Sequence, residues 1–328
     1  MNIAIISVTN QGKSISDKLY DVLSKNPTIL SVTQYHKNVF KTIDETFDTC
    51  DCIIGIMASG IMIRAIASHV ESKLSDPAVL LVDDNANFVI SLLSGHMGGA
   101  NDLTQYISSI LDSTPVITTS TDVNNRVGID SIAKRYYFNL ENPKNIKFIN
   151  KALVNNRLVN LTLPHSLDYI IDDNLRKSYK IIPDNDIDYV IAEIDGHEVI
   201  LRPKKLVMGI GARRDISTQK VYHAIIQACE ILKIPPNRID FFATADVKSN
   251  EKGILDNVDR FNKELIIIDM DRIKNFDNNE CSHSDFVMKQ FGVKGVCEPA
   301  SLLANDNNSH LIFRKTAYNG VTIAVSSN

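Results

Sequence analysis

Cysteine is scarce in this chain and badly spaced for structural work. The five, Cys50, Cys52, Cys229, Cys281 and Cys297, form no C-x-x-C pair and are odd in number, which argues against a disulfide framework or a zinc site. The longest apolar run, 52–67, is broken by Arg64 and falls short of the ~20 residues that a membrane-spanning helix needs. The amino-terminal apolar run stops at Val8 with no basic stretch before it, so no signal peptide is expected and a reduced cytoplasmic setting is. Neither sign of charge dominates: 35 Lys and Arg stand against 39 Asp and Glu, a net of −4, and neither a nucleic-acid nor a membrane partner is expected. No pair among the eight histidines has clear metal-ligand spacing, and no protein-bound metal is expected.

What is present is an α/β rhythm. Residues 2–8, 29–33, 52–57, 79–82, 88–93 and 116–119 read as strands, with helical spacing at 14–24, 39–47, 61–70 and 103–111. Residues 123–204 are more polar and lack glycine turns at strand ends; they offer a helix at 146–154 and strands at 189–194 and 198–201 around Asp195-Gly196. The rhythm then restarts. A strand over 207–211 runs into a Gly-x-Gly turn, a helix capped by Ser217 or Thr218 reaches about Leu232, and strands follow at 239–243 and 265–268. A short helix at 286–291, a helix opened by Cys297-Glu298-Pro299-Ala300 and a hairpin of 311–315 with 321–325 around Asn319-Gly320 complete the pattern. The fold class is therefore α/β: two doubly wound α/β domains, flavodoxin-like over 1–122 and α/β over 205–328, joined by a small α+β domain over 123–204.

Candidate chemistry gathers at strand ends. Ser94-Gly95-His96-Met97-Gly98-Gly99-Ala100-Asn101 joins an apolar strand to a helix, so free amides and a proton-carrying imidazole face one space. It is expected at a carboxyl edge of the sheet, as is Ser59-Gly60, which leads into the helix bearing Arg64. Thr118 to Asp122 is another strand end, rich in hydroxyls. Gly209-x-Gly211 lacks the third glycine of a dinucleotide fingerprint, since Arg214 stands there; the adjacent Arg213 and Arg214 suit carboxylate recognition as well as a solvated surface. Thr244, Lys248 and Glu251 follow a strand, where they could form an acid/base site or a salt bridge, and Glu298 could activate water or stabilise a helix dipole. Lys315 ends an apolar strand, solvated or facing a ligand.

Taken together, Ser59–Arg64 (SGIMIR), Asp76–Val79 (DPAV), 90–101 (ISLLSGHMGGAN), 115–122 (PVITTSTD), Asp130-x-x-Ala133-Lys134-Arg135, 209–213 (GIGAR), 243–253 (ATADVKSNEKG), 297–300 (CEPA), Lys315-Thr316 and 320–325 (GVTIAV) resemble the cobalt-precorrin-5A hydrolase family of anaerobic cobalamin synthesis. Ala212 departs from the cysteine expected there in many relatives, which removes a thiol nucleophile at that point. The resemblance implies a cobalt tetrapyrrole substrate whose ring-A lactone is opened by water with release of acetaldehyde. It implies no cofactor of the protein's own, because cobalt arrives with the substrate. On that reading His96 is the general base or acid, the Gly98 and Gly99 amides lie near the oxyanion, and Glu251 or Glu298 is the reserve proton carrier. Substrate carboxylates would meet Ser59, Gly60, Arg64, Ser94, Gly95, Asn101, Gly209, Gly211, Arg213, Arg214, Thr244, Lys248 and Lys315. A tetrapyrrole carrier without catalysis and a nucleotide-dependent α/β enzyme are the alternatives. A homodimer and transient contact with neighbouring pathway enzymes are left open.

Overall fold

The computed structural model describes residues 1–73, 75–282 and 295–328, and the expected helix at 286–291 lies outside them. The chain forms two compact units, one of residues 1–25 with 31–203, the other of residues 26–30 with 204–328.

The first unit opens with a six-stranded sheet in the order β2-β1-β3-β4-β5-β6, formed by β1 (Asn2–Ser7), β2 (Ser31–His36), β3 (Cys52–Ile56), β4 (Ala78–Val82), β5 (Phe88–Leu93) and β6 (Thr114–Val116). Helices α1 (Asn10–Leu23), α2 (Val39–Thr46), α3 (Ser59–Ile66), α4 (Ala100–Leu111) and α5 (Ser120–Val123) alternate with them. Strands β3 and β4 are buried at every residue, as parallel strands covered on both faces must be, which is why they read as unbroken apolar runs. Thr9 starts α1 by accepting the Gly12 N–H, and Ile15, Leu19 and Leu23 form its buried stripe.

Strands β1 to β4 are mutually parallel, but β5 runs antiparallel to β4, with Val79 beside Leu93 and Val82 beside Val89. Only residues 83–87 join β4 to β5, too few for the crossover that a parallel pair requires. Asp83 closes this turn by accepting the N–H groups of Asn85 and Phe88. The carboxyl end of β5, with Ser94, therefore lies at the amino edge of β4, whereas Ser59 and Gly60 follow the carboxyl end of β3. The two segments expected to share one edge occupy opposite edges.

The same unit carries a five-stranded sheet, order β7-β11-β10-β8-β9, from β7 (Phe138–Glu141), β8 (Val159–Leu163), β9 (Tyr179–Pro183), β10 (Val190–Ile194) and β11 (His197–Pro203). Its pairs are antiparallel except β8 with β9. The strand β9, not expected from the sequence, is an edge strand, where Pro183 costs no ladder bond. Helices α6 (Ile129–Arg135), α7 (Ile146–Val154) and α8 (Asp173–Ser178) accompany this sheet. Along α7, Ile146, Ile149, Ala152 and Leu153 enter the core that surrounds Tyr179, whose hydroxyl donates to the Val127 carbonyl. That stripe leaves Lys147, Asn150, Lys151 and Val154 together on another face.

The second unit holds a sheet in the order β14-β13-β12-β16-β15, from β12 (Leu206–Ala212), β13 (Phe241–Ala245), β14 (Glu264–Ile268), β15 (His310–Tyr318) and β16 (Val321–Ser327). The first three are parallel, and β16 pairs antiparallel with β12 and, through the Asn319-Gly320 turn, with β15. Asn319 and Gly320 both have positive φ, 46° and 98°, as a two-residue hairpin of this hand requires. Helices α9 (Thr218–Leu232), α10 (Lys252–Phe261), α11 (Met270–Lys274) and α12 (Cys297–Ala304) complete it. Among the described residues, no helix is long and apolar enough to cross a membrane.

Candidate active site

The turn after β5 is built around its backbone. Ser94 has a φ of 55° and Gly99 one of 87°, so the chain doubles back and Ala100 and Asn101 donate to the carbonyls of Ser94 and Gly95. This loop carries His96 to the start of α5 and α6. His96 Nε2 lies 2.7 Å from Asp122 Oδ2 and 3.1 Å from Thr121 Oγ1, and Nδ1 lies 3.2 Å from Asp130 Oδ1. The imidazole is one-tenth exposed, the Asp130 carboxylate one-twentieth and the Asp122 carboxylate one-third, so this carboxylate–imidazole–carboxylate triad is buried on its Asp130 side and open to solvent at Asp122.

Supporting polar groups fix both acids. Asn101 Nδ2 donates to Asp122 Oδ2 and to Thr119 Oγ1, and Asn150 Nδ2 donates to Asp130 Oδ1. Gly128 must be glycine. A Cβ there would stand 2.7 Å from Asp130 Oδ1 and 3.3 Å from His96 Cε1, so any side chain would push the triad apart.

Burial works to lower the His96 pKa, but hydrogen bonds to Asp122 and Asp130, with the charges of both carboxylates, outweigh it and raise it to about 9. Burial likewise works to raise the Asp130 pKa, and the hydrogen bond and charge of His96, with Asn150 and a backbone donor, hold it below the usual carboxylate range. At neutral pH the group is an imidazolium flanked by carboxylates. In that form it is suited to donating a proton, the general-acid role among the two expected for His96. The Gly99 N–H already donates to the His96 carbonyl, so it is not a free oxyanion donor. Asn101 is buried and orients Asp122, rather than offering its amide to a ligand.

His96 opens onto a cavity of about 530 Å³ whose lining includes Ser94, Gly95, Asp130, the hydroxyl residues Thr119 to Thr121, and the Lys147–Lys151 face of α7. Gly98 lies in the same turn. Ser59 and Gly60 are at the opposite edge of the sheet, and Arg64 folds back to donate to the Gly60 carbonyl at 2.8 Å.

In the second unit the expected residues divide by burial. Gly209 and Gly211 lie inside β12 rather than in a turn beyond it. A Cβ on Gly209 would meet the Cys297 carbonyl oxygen at 1.9 Å, and one on Gly211 would meet Thr322 Oγ1 at 2.5 Å. Gly209 thus admits α12 against the sheet, Gly211 makes room for Thr322 of β16, and the nucleotide alternative loses its phosphate turn. Thr244 is buried, donating to the Ile210 carbonyl. Glu298, 1% exposed, accepts from the Ser282 N–H and hydroxyl and from the Lys315 N–H, so its oxygens tie the helix to strand β15 and to Ser282. Glu251 accepts the Ile216 N–H and sits 3.7 Å from Lys248, so it shapes the loop holding Arg213 and Arg214, which are exposed and form no ion pair among the described residues. The Lys315 side chain is half-buried. Burial pushes the thiols of Cys229 and Cys297 up to about 12, which makes them unreactive.

Residues 41–122 match the family described as Cobalamin synthesis G N-terminal, and residues 206–326 the one described as Cobalamin synthesis G C-terminus. A Methanocaldococcus jannaschii protein named as a probable cobalt-precorrin-5A hydrolase is 34% identical over 100% of this chain and 99% of its own. The chain belongs to the cobalt-precorrin-5A hydrolase family. The relative named cobalt-precorrin-5A hydrolase in Salmonella typhimurium is 30% identical over 87% of this chain and 84% of its own. The solved structure of a cobalamin biosynthesis protein G homolog from Sulfolobus solfataricus has a TM-score of 0.64, 30% identity, and coverage of 99% of this chain and 97% of that one. In this cobalt-precorrin-5A hydrolase family member, three groups escaped the sequence-based site: Asp122, Asp130 and the lysine face of α7. Both acids stood inside quoted motifs. What hid them was distance along the chain, since His96 precedes Asp130 by a whole helix and a change of sheet.

Proposed function

We propose that this protein hydrolyses cobalt-precorrin-5A. Water adds to the acyl carbon of the ring-A δ-lactone and the acyl–oxygen bond breaks. The released alkoxide forms acetaldehyde as its carbon–carbon bond to the macrocycle cleaves, and the macrocycle carbon takes that electron pair and a proton. One water is consumed, its oxygen entering the new carboxylate and one hydrogen the macrocycle. The cobalt belongs to the substrate, and the protein supplies no cofactor.

The observation that carries this reading is the placement of His96 between Asp122 and Asp130 at the edge of a polar cavity. An imidazolium there steadies the oxyanion and donates the proton that the macrocycle carbon needs. An adjacent carboxylate then passes a proton from water back to the ring. Purified protein incubated with cobalt-precorrin-5A is expected to release one acetaldehyde per macrocycle, trapped as its hydrazone. Substrate that is bound but returned intact would make the protein a carrier.

A further inference from the structure

The 530 Å³ cavity has a feature that proton transfer does not require: one wall is cationic. On α7, residues 147, 150, 151 and 154 are spaced as one stripe, and all four line it, so Lys147 and Lys151 stand one turn apart over the triad. Lys73, from the loop before β4, adds a third ammonium. These three lysines outnumber the two carboxylates, Asp122 and Asp130, that flank His96, so the cavity is electropositive in a protein whose net charge is −4. A low-dielectric cleft of one sign concentrates ligands of the other.

Ser94 is nine-tenths buried and lines the same cavity, and its hydroxyl, shielded from solvent, has no hydrogen-bond partner among the described residues.

We infer that this cavity is a polycarboxylate subsite, in which Lys147 and Lys151 of α7, aided by Lys73, grip carboxylate side chains of the macrocycle. The inference rests on the proposed tetrapyrrole substrate, and it places part of substrate recognition on α7, outside the segments that carry the family resemblance. Compact ammonium groups on long stems suit several carboxylates at variable spacing better than a rigid guanidinium fork does.

The test uses full-length Lys147→Ala/Lys151→Ala, with Lys18→Ala/Lys25→Ala as a control that removes equal charge from exposed positions near α1. Binding is followed by fluorescence quenching of uroporphyrin III, an octacarboxylate, against the dicarboxylate protoporphyrin. The wild type should bind uroporphyrin more tightly, with affinity falling as salt rises. The α7 variant should lose about tenfold or more in affinity and raise KM for cobalt-precorrin-5A comparably, while kcat changes by less than about twofold. The control should match the wild type. An unchanged affinity in the α7 variant, an equal loss in the control, or no uroporphyrin binding by the wild type would each overturn the inference. If the wild type binds uroporphyrin through these lysines but releases no acetaldehyde, the proposed activity falls and the subsite stands. If turnover proceeds with a KM indifferent to them, the subsite falls and the activity stands.

Discussion

Replacing His96 with glutamine lowers turnover about 100-fold or more, the usual scale for losing a positioned proton donor. Glutamine is the more informative substitution because it still offers a hydrogen to one of the two acids. Alanine leaves the buried Asp130 without its partner, and removing one partner of a buried ion pair costs about 3–5 kcal/mol. Rates are therefore compared per folded molecule, with thermal unfolding measured alongside. If His96→Gln folds and retains more than about a third of wild-type turnover, His96 is not the proton donor.

The second large effect is on pH dependence. With the His96 pKa raised to about 9, turnover should hold through neutral pH and fall as pH rises through about 9. In Asp122→Asn/Asp130→Asn the counter-charges are gone and burial alone acts, which lowers an imidazole pKa below its ordinary ~6.5. Turnover at about pH 8 should then drop on the order of 100-fold, since each pKa unit is a factor of ten in protonated fraction. The alkaline limb should move below pH 7. Stability follows the same sign. A group whose pKa is higher folded than unfolded contributes fully below its unfolded value, near 6.5, and that contribution is lost as pH rises through about 9. Asp130, depressed on folding, contributes above its ordinary value and loses that as the pH falls through its folded value. A wild-type profile unmoved by the double variant would separate the acids from the reaction.

Much of the fold was legible because burial writes simple patterns. The runs at β3 and β4 are apolar throughout because both faces are covered, and the Asn319-Gly320 hairpin announced itself by its turn residues. The reversal of β5 was also legible in principle, since both strands were read and residues 83–87 cannot carry a crossover. Treating every strand as parallel placed Ser59 and Ser94 at one edge. The GIGAR segment misled for a different reason. A glycine demanded by a ligand and one demanded by the Cys297 carbonyl at 1.9 Å look identical in sequence. Glu298 shows the same ambiguity, an acid at a helix start whose oxygens are consumed by Ser282 and Lys315. His96 stood out because a glycine turn has little structural use for an imidazole, but its partners lie 26 and 34 positions downstream, beyond any local pattern.

The central claim is that His96 is held as an imidazolium by two carboxylates, and histidine-selective ¹H–¹⁵N NMR across a pH titration tests it most directly, with His96→Gln assigning the resonance. The account predicts both ring nitrogens protonated at neutral pH and a midpoint near 9. A midpoint at or below the ordinary ~6.5, with a single neutral tautomer at pH about 7, would contradict it.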